Sequence, residues 1–147
     1  MNTKEYLNSA YIQNRSIQRK KERLETLREL ATATTPAASG MPHADSPEQQ
    51  RIAGVVDQIV DLENEIASDE EKLLETRAHI ADVISRIKDD MQLRILMKRY
   101  LDYASWRDIW TDLGVCERWV HRQHDRAIEH IEKNFHRPVP GQLQASS

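Results

Sequence analysis

The chain has 147 residues, enough for one domain or for a small domain beside an extended element. Charged residues make up 31% and aromatic residues only 5%, with four Gly and five Pro, a profile that suits long helices around a modest core and disfavours a β-rich domain. The net charge of −3 is unevenly spread: residues 48–90 are strongly acidic, whereas residues 1–47 and 91–147 each carry a small basic excess.

The first predicted element runs from about Thr3 to Ala31. Ala10, Ile17, Leu24 and Ala31 stand seven apart, Leu7 and Leu27 lie beside that line, and RKKERLETLREL supplies the solvent face. The opening MNTKEYLNSAYIQNRS lacks the apolar segment of a secretory signal. No run approaches the ~18 apolar residues needed to cross a bilayer. The expectation is a cytoplasmic protein with no membrane partner. Residues 32–47, TATTPAASGMPHADSP, combine three prolines, a glycine and small residues, and read as a linker.

Ser46-Pro47-Glu48-Gln49 then reads as a helix start, with Ser46 as N-cap, Pro47 in the first turn and Gln49 placed to close a capping box. Ile52, Ile59, Ile66, Leu73, Ile80 and Ile87 follow at a strict spacing of seven. Val55, Leu62 and Val83 fill the companion positions, and Asp69 and Thr76 interrupt them. Such heptads predict a coiled coil. The linker can return the chain antiparallel, so an intrachain hairpin is the first reading and dimerisation the second; both hold if two hairpins associate. The first helix is the shorter, which predicts an unpaired far end on the second.

Asp89-Asp90 can cap a third helix, MQLRILMKRYLDYAS, whose Leu93, Leu96, Met97, Tyr100 and Leu101 fall at helical spacing. Ser105 offers a further N-cap with Asp108 three residues on. The helix it opens places Trp106, Ile109, Trp110 and Leu113 on one face, and Gly114 stands where a helix ends in a left-handed residue. After Val115-Cys116, Glu117 begins a last helix with Val120, His124, Ala127, Ile128 and Ile131 inward. Trp119, beside the inward Val120, is read as partly buried, with contact to a thymine methyl or the sugar backbone as the other reading.

Two short helices joined by a glycine-containing turn match the helix-turn-helix pattern. The stretch LMKRYLDYASWRDIWTDLGVCERWVHRQHDRAIEHIEK resembles region 4 of bacterial sigma factors, and more closely the phage late-gene transcription regulators of the RinA/ArpU type. Its Arg-Tyr before the loop, Ser-Trp-x-x-Ile opening, Leu-Gly turn and Arg-Ala before the last apolar pair carry the likeness, which covers about a third of the chain. It departs from the pattern at Cys116, where these proteins place a Ser or Thr cap, and at Trp110, where they favour a small residue.

The expected fold is therefore all-α, a long antiparallel helical hairpin or coiled coil over residues 1–88, then a helix-turn-helix domain over 89–136 and a disordered tail, 137–147. The resemblance implies a regulator that binds double-stranded DNA, with RNA polymerase as a further partner and self-association through the coiled coil. Glu117, Arg118, His121 and Arg122 are the candidates for base edges in the major groove. Arg107 and Arg126 suit phosphates, with Lys98 and Arg99 as weaker choices. The three-residue spacing of His121 and His124 can place two rings on one side of a helix, with His130 and Asp125 further along it, but a complete ligand set and a second shell are not evident, so no metal is expected. Cys116 is the sole cysteine and offers neither an internal disulfide nor metal-binding spacing. No nucleophile elbow or phosphate-cradling glycine loop occurs, so neither an enzyme nor a cofactor is expected. Two other functions use the same features: a small terminase-like subunit for DNA packaging, and a coiled-coil interaction protein without DNA.

Overall fold

Residues 2–33 and 47–134 are described by a computed structural model, and their regular structure is helical. The helices are α1 (Thr3–Ala33), α2 (Pro47–Ser85), α3 (Asp90–Tyr100), α4 (Trp106–Leu113) and α5 (Glu117–Asn134). The fold is all-α. The expected Ser46 cap, most of the linker and the tail at 137–147 lie outside the described residues. Among the described residues no helix is long and apolar enough to cross a membrane.

A cap that the periodicity does not reveal starts α1. The Glu5 amide donates to Asn2 Oδ1 at 2.8 Å and the Asn2 amide to Glu5 Oε2 at 3.2 Å, satisfying two amides reciprocally.

Packing divides the chain into two units, residues 13–72 and residues 1–12 with 73–147. In the first, α1 and α2 run antiparallel: Lys20 pairs with Asp69 at 2.5 Å, Lys21 with Glu70 at 2.9 Å and Arg28 with Glu63 at 3.1 Å. Ile17, Leu24, Leu27, Leu62 and Ile66 are buried here. Asp69, which breaks the apolar heptad, is satisfied within the chain. Its hydrogen bond with Lys20 is the main cause holding that ammonium's pKa above the ordinary lysine value. This partly buried pair joins the two helices in the same register as the Lys21–Glu70 and Arg28–Glu63 pairs.

In the second unit the end of α2 is covered, contrary to the expected unpaired end. Tyr6, Leu7 and Ala10 of α1 share one core with Ile80, Val83, Ile84 and Ile87, with Leu96 and Tyr100 of α3, and with Ala127, Ile128 and Ile131 of α5. Elements on several sides widen the buried stripe beyond a coiled-coil seam, which is why Ile84, outside the heptad, is 1% exposed.

Asp89 caps α3, accepting from the Gln92 amide at 3.0 Å. Its inward face differs from the one expected. Ile95 is fully buried, whereas Met97 is 44% exposed and Leu93 and Leu101 are half-buried. The cause is a second packing direction: Ile95 joins Ile109 of α4 and Val120 of α5 in a separate small core. Between α3 and α4, Tyr103 adopts φ 60°, uncommon for a bulky residue. Arg77 holds that loop from α2, donating through Nη1 to the Leu101 carbonyl and, at 3.0 Å, to the Tyr103 hydroxyl. Tyr11 adds a ring contact to Tyr103 at 5.9 Å.

Candidate nucleic-acid interface

Helix α4 begins as its sequence predicts, with Ser105 Oγ accepting from the Asp108 amide at 3.1 Å. It ends at Gly114, whose φ of 69° lies in the left-handed region that glycine enters without a Cβ penalty. Val115 and Cys116 complete a three-residue turn into α5. The Val120 amide donates to the Cys116 carbonyl at 3.2 Å, so Cys116 stands at the head of α5. The Cys116 thiol is free and exposed.

Ile95, Ile109 and Val120, one from each of α3, α4 and α5, are fully buried against one another. Trp106, Trp110, Leu113 and Trp119 pack partly buried around them. Three aliphatic side chains make a small nucleus, and the indoles supply the extra apolar area. Trp110 is accommodated in this cluster despite its size. Trp119 also lies against it, in agreement with the partial burial expected for that ring.

On α5 the predicted inward residues Val120, His124, Ala127, Ile128 and Ile131 are all buried. His124 is 3% exposed and lies between two partners. Its Nε2 is 2.5 Å from the Tyr100 hydroxyl and its Nδ1 is 3.4 Å from Asp125 Oδ1. A carboxylate only accepts, so Nδ1 carries the proton and the Tyr100 hydroxyl donates to Nε2. Burial drives the His124 pKa down to about 4; Asp125 opposes that shift, and Lys4 and His121 add to it. The Tyr100 phenol is pushed up to about 12, chiefly by burial. Both groups are therefore neutral at pH 7.

Each sequence-predicted site residue has a definite place. Glu117, Arg118, Arg122, Arg126 and Arg107 are exposed, and His121 is half-buried. His121 is tied to its surroundings, 3.8 Å from Glu117 and 4.6 Å from the Trp106 ring. The opposite role falls to Lys98 and Arg99, which are engaged internally. Lys98 lies 3.6 Å from Asp112, and Arg99 stacks over Trp106 at 4.6 Å while donating to the Ala104 carbonyl. Arg107, Arg118, Arg122 and Arg126 have neither an ion pair nor a hydrogen bond within the described residues. Arg118, Arg122 and Arg126 follow one another every fourth residue, a ridge along the face of α5 away from its buried stripe.

Sequence reasoning assigned Trp106 to the core and missed its second role. Its ring touches Arg99, His121 and His124 together, so it orients groups from α3 and α5. Nothing in the spacing of Trp106 distinguishes such a hub from an ordinary core indole. Among the described residues no three His, Cys, Asp or Glu side chains converge as metal ligands would.

Compared with known proteins, the chain matches no family model, no curated protein and no solved structure.

Proposed function

We propose that the chain is a sequence-specific, DNA-binding transcription regulator of the phage late-gene kind that its sequence resembles. In this reading α5 lies in the major groove and the α4–α5 turn faces the duplex. The observation that carries the reading is the unpaired arginine ridge on α5. In a chain with 24 acidic and 21 basic side chains, many described cations find an acid, yet Arg118, Arg122 and Arg126 do not. Cations left unpaired in this way remain available to guanine edges and phosphates.

The N-terminal half of α5 takes the base-reading role, since recognition helices contact base edges near their N-termini. Arg118 and Arg122 are the direct readers. Glu117 and His121 lie beside them, 3.8 Å apart, the former able to accept from cytosine. Arg107, at the start of α4, and Arg126 hold phosphates and fix the register. No bond chemistry is involved. The long α1–α2 pair serves self-association or contact with RNA polymerase, in the cytoplasm.

Selection of bound duplexes from a randomised pool tests the reading. The full chain should enrich a defined sequence, and its affinity should fall steeply with salt. Arg122→Ala should relax the enriched sequence, while Arg107→Ala should weaken all duplexes alike. A chain that enriches no sequence and shows no preference among fragments of its own genomic neighbourhood would not be a specific regulator.

A further inference from the structure

Beside the second half of α5, a groove of about 540 Å³ opens against the turn between α2 and α3. Arg86, Lys88, Asp89, Gln92, Arg126 and His130 are among the residues lining it. Its wall is fixed by a link between helices: Gln92 Nε2 of α3 donates to Gln123 Oε1 of α5 at 3.1 Å.

The charges around this groove are accounted for one by one. Asp82 pairs with Arg86 at 2.9 Å, Asp90 with Arg94 at 3.1 Å and Glu129 with Lys133 at 2.9 Å. Asp89 is turned to its capping bond with the Gln92 amide. Two cations are left over. Lys88 and Arg126 are exposed, and neither has an ion pair or hydrogen bond within the described residues. They come from elements 38 positions apart and face one concavity, so the fold collects positive charge there in an otherwise acidic chain.

Arg126 also belongs to the α5 ridge, and His130 continues the four-residue spacing from Arg118 through Arg122. From Arg118 to His130 the ridge covers roughly 18 Å at about 1.5 Å per residue. One strip of side chains therefore leads from the base-reading end of α5 into the groove.

We propose that this groove is a phosphate-binding site for the DNA backbone flanking the bases read by Arg118 and Arg122, with Lys88 and Arg126 as its cationic contacts. The site rests on the reading of α5 as the recognition helix and adds the α2–α3 turn to the DNA-contacting surface. A helix held in the major groove is anchored by backbone contacts on either side of it. Arg107 supplies one from the α4 end, and the groove supplies the other from the far end of α5. The ligand is a pair of neighbouring backbone phosphodiesters, one for each cation, on a partly apolar concavity.

The test is a titration of the full chain with its selected duplex at several salt concentrations. It compares the unaltered protein with a Lys88→Gln/Arg126→Gln double variant and with an Arg19→Gln/Arg23→Gln control that removes two unpaired cations from α1. Both positions in the groove are exposed and unpaired, so the double variant should keep the thermal midpoint of the parent. Its affinity should fall equally for every duplex, with the order of preferred sequences unchanged. The slope of log affinity against log salt should become shallower by roughly 2, at about 0.9 for each phosphate no longer neutralised. The control should keep the parental slope. An unchanged slope in the double variant, or an equal change in the control, overturns the groove site while leaving α5 as the reader. Failure of the unaltered chain to bind any duplex overturns both.

Discussion

Lowering the pH from 7 to 5 should destabilise this protein through one residue, His124. The imidazole is buried on α5, donating toward Asp125 and accepting from Tyr100, and its pKa lies near 4 against an ordinary value of 6.5. A histidine with a depressed folded pKa contributes full stability above 6.5 and loses it as the pH falls toward 4, because the unfolded chain binds the proton first. At pH 5 the unfolded imidazole is largely protonated and the folded one largely neutral. The gap of about 1.5 pH units, at about 1.4 kcal/mol each, amounts to about 2 kcal/mol. Urea denaturation at pH 7 and pH 5 measures this for the native chain and for His124→Gln, which cannot titrate. The variant has a lower stability at both pH values, since it disturbs the Tyr100 contact, but its loss between them should be smaller by about 2 kcal/mol. Equal losses in the two proteins would refute the argument and mean that the imidazole accepts its proton without leaving its site.

Other perturbations address the same small domain. Ile109→Ala empties a fully buried position in the three-residue nucleus and should cost about 2–5 kcal/mol in chemical denaturation. Gly114→Ala adds a Cβ into open space, so only the backbone at φ 69° resists; a thermal melt should report a loss of about 1 kcal/mol, far less than a steric clash would cause. Ser105→Ala removes the acceptor for the Asp108 amide and should lower stability by about 1 kcal/mol, with faster amide exchange confined to the first turn of α4.

Sequence patterning made most of the helical architecture legible, because local rules govern it. Heptads over residues 52–87 announce a long amphipathic helix, Asp89 and Ser105 announce caps, and Gly114 announces a left-handed stop. Each works through atoms within a few residues of itself. The inward stripe of α5 was equally plain, since a single helix face meets the core. Where two packing directions compete, periodicity failed: Ile95 and Met97 are neighbours of similar character on α3, and only the second small core decides which is buried.

Residue types alone established an all-helical chain with arginines at a fixed spacing on its last helix. The three-dimensional arrangement decided which charges remain unpaired. Hydropathy fixes which side of a helix turns inward, but an ion pair between Lys20 and Asp69, 49 positions apart, exists only because two helices run antiparallel in one register. The same holds for Tyr6, Leu7 and Ala10, which close the core beneath α3 and α5, and for Lys88, which faces Arg126 across a groove. Contacts between distant parts of a chain depend on where each helix points, and the short loops at 86–89 and 101–105 set that direction.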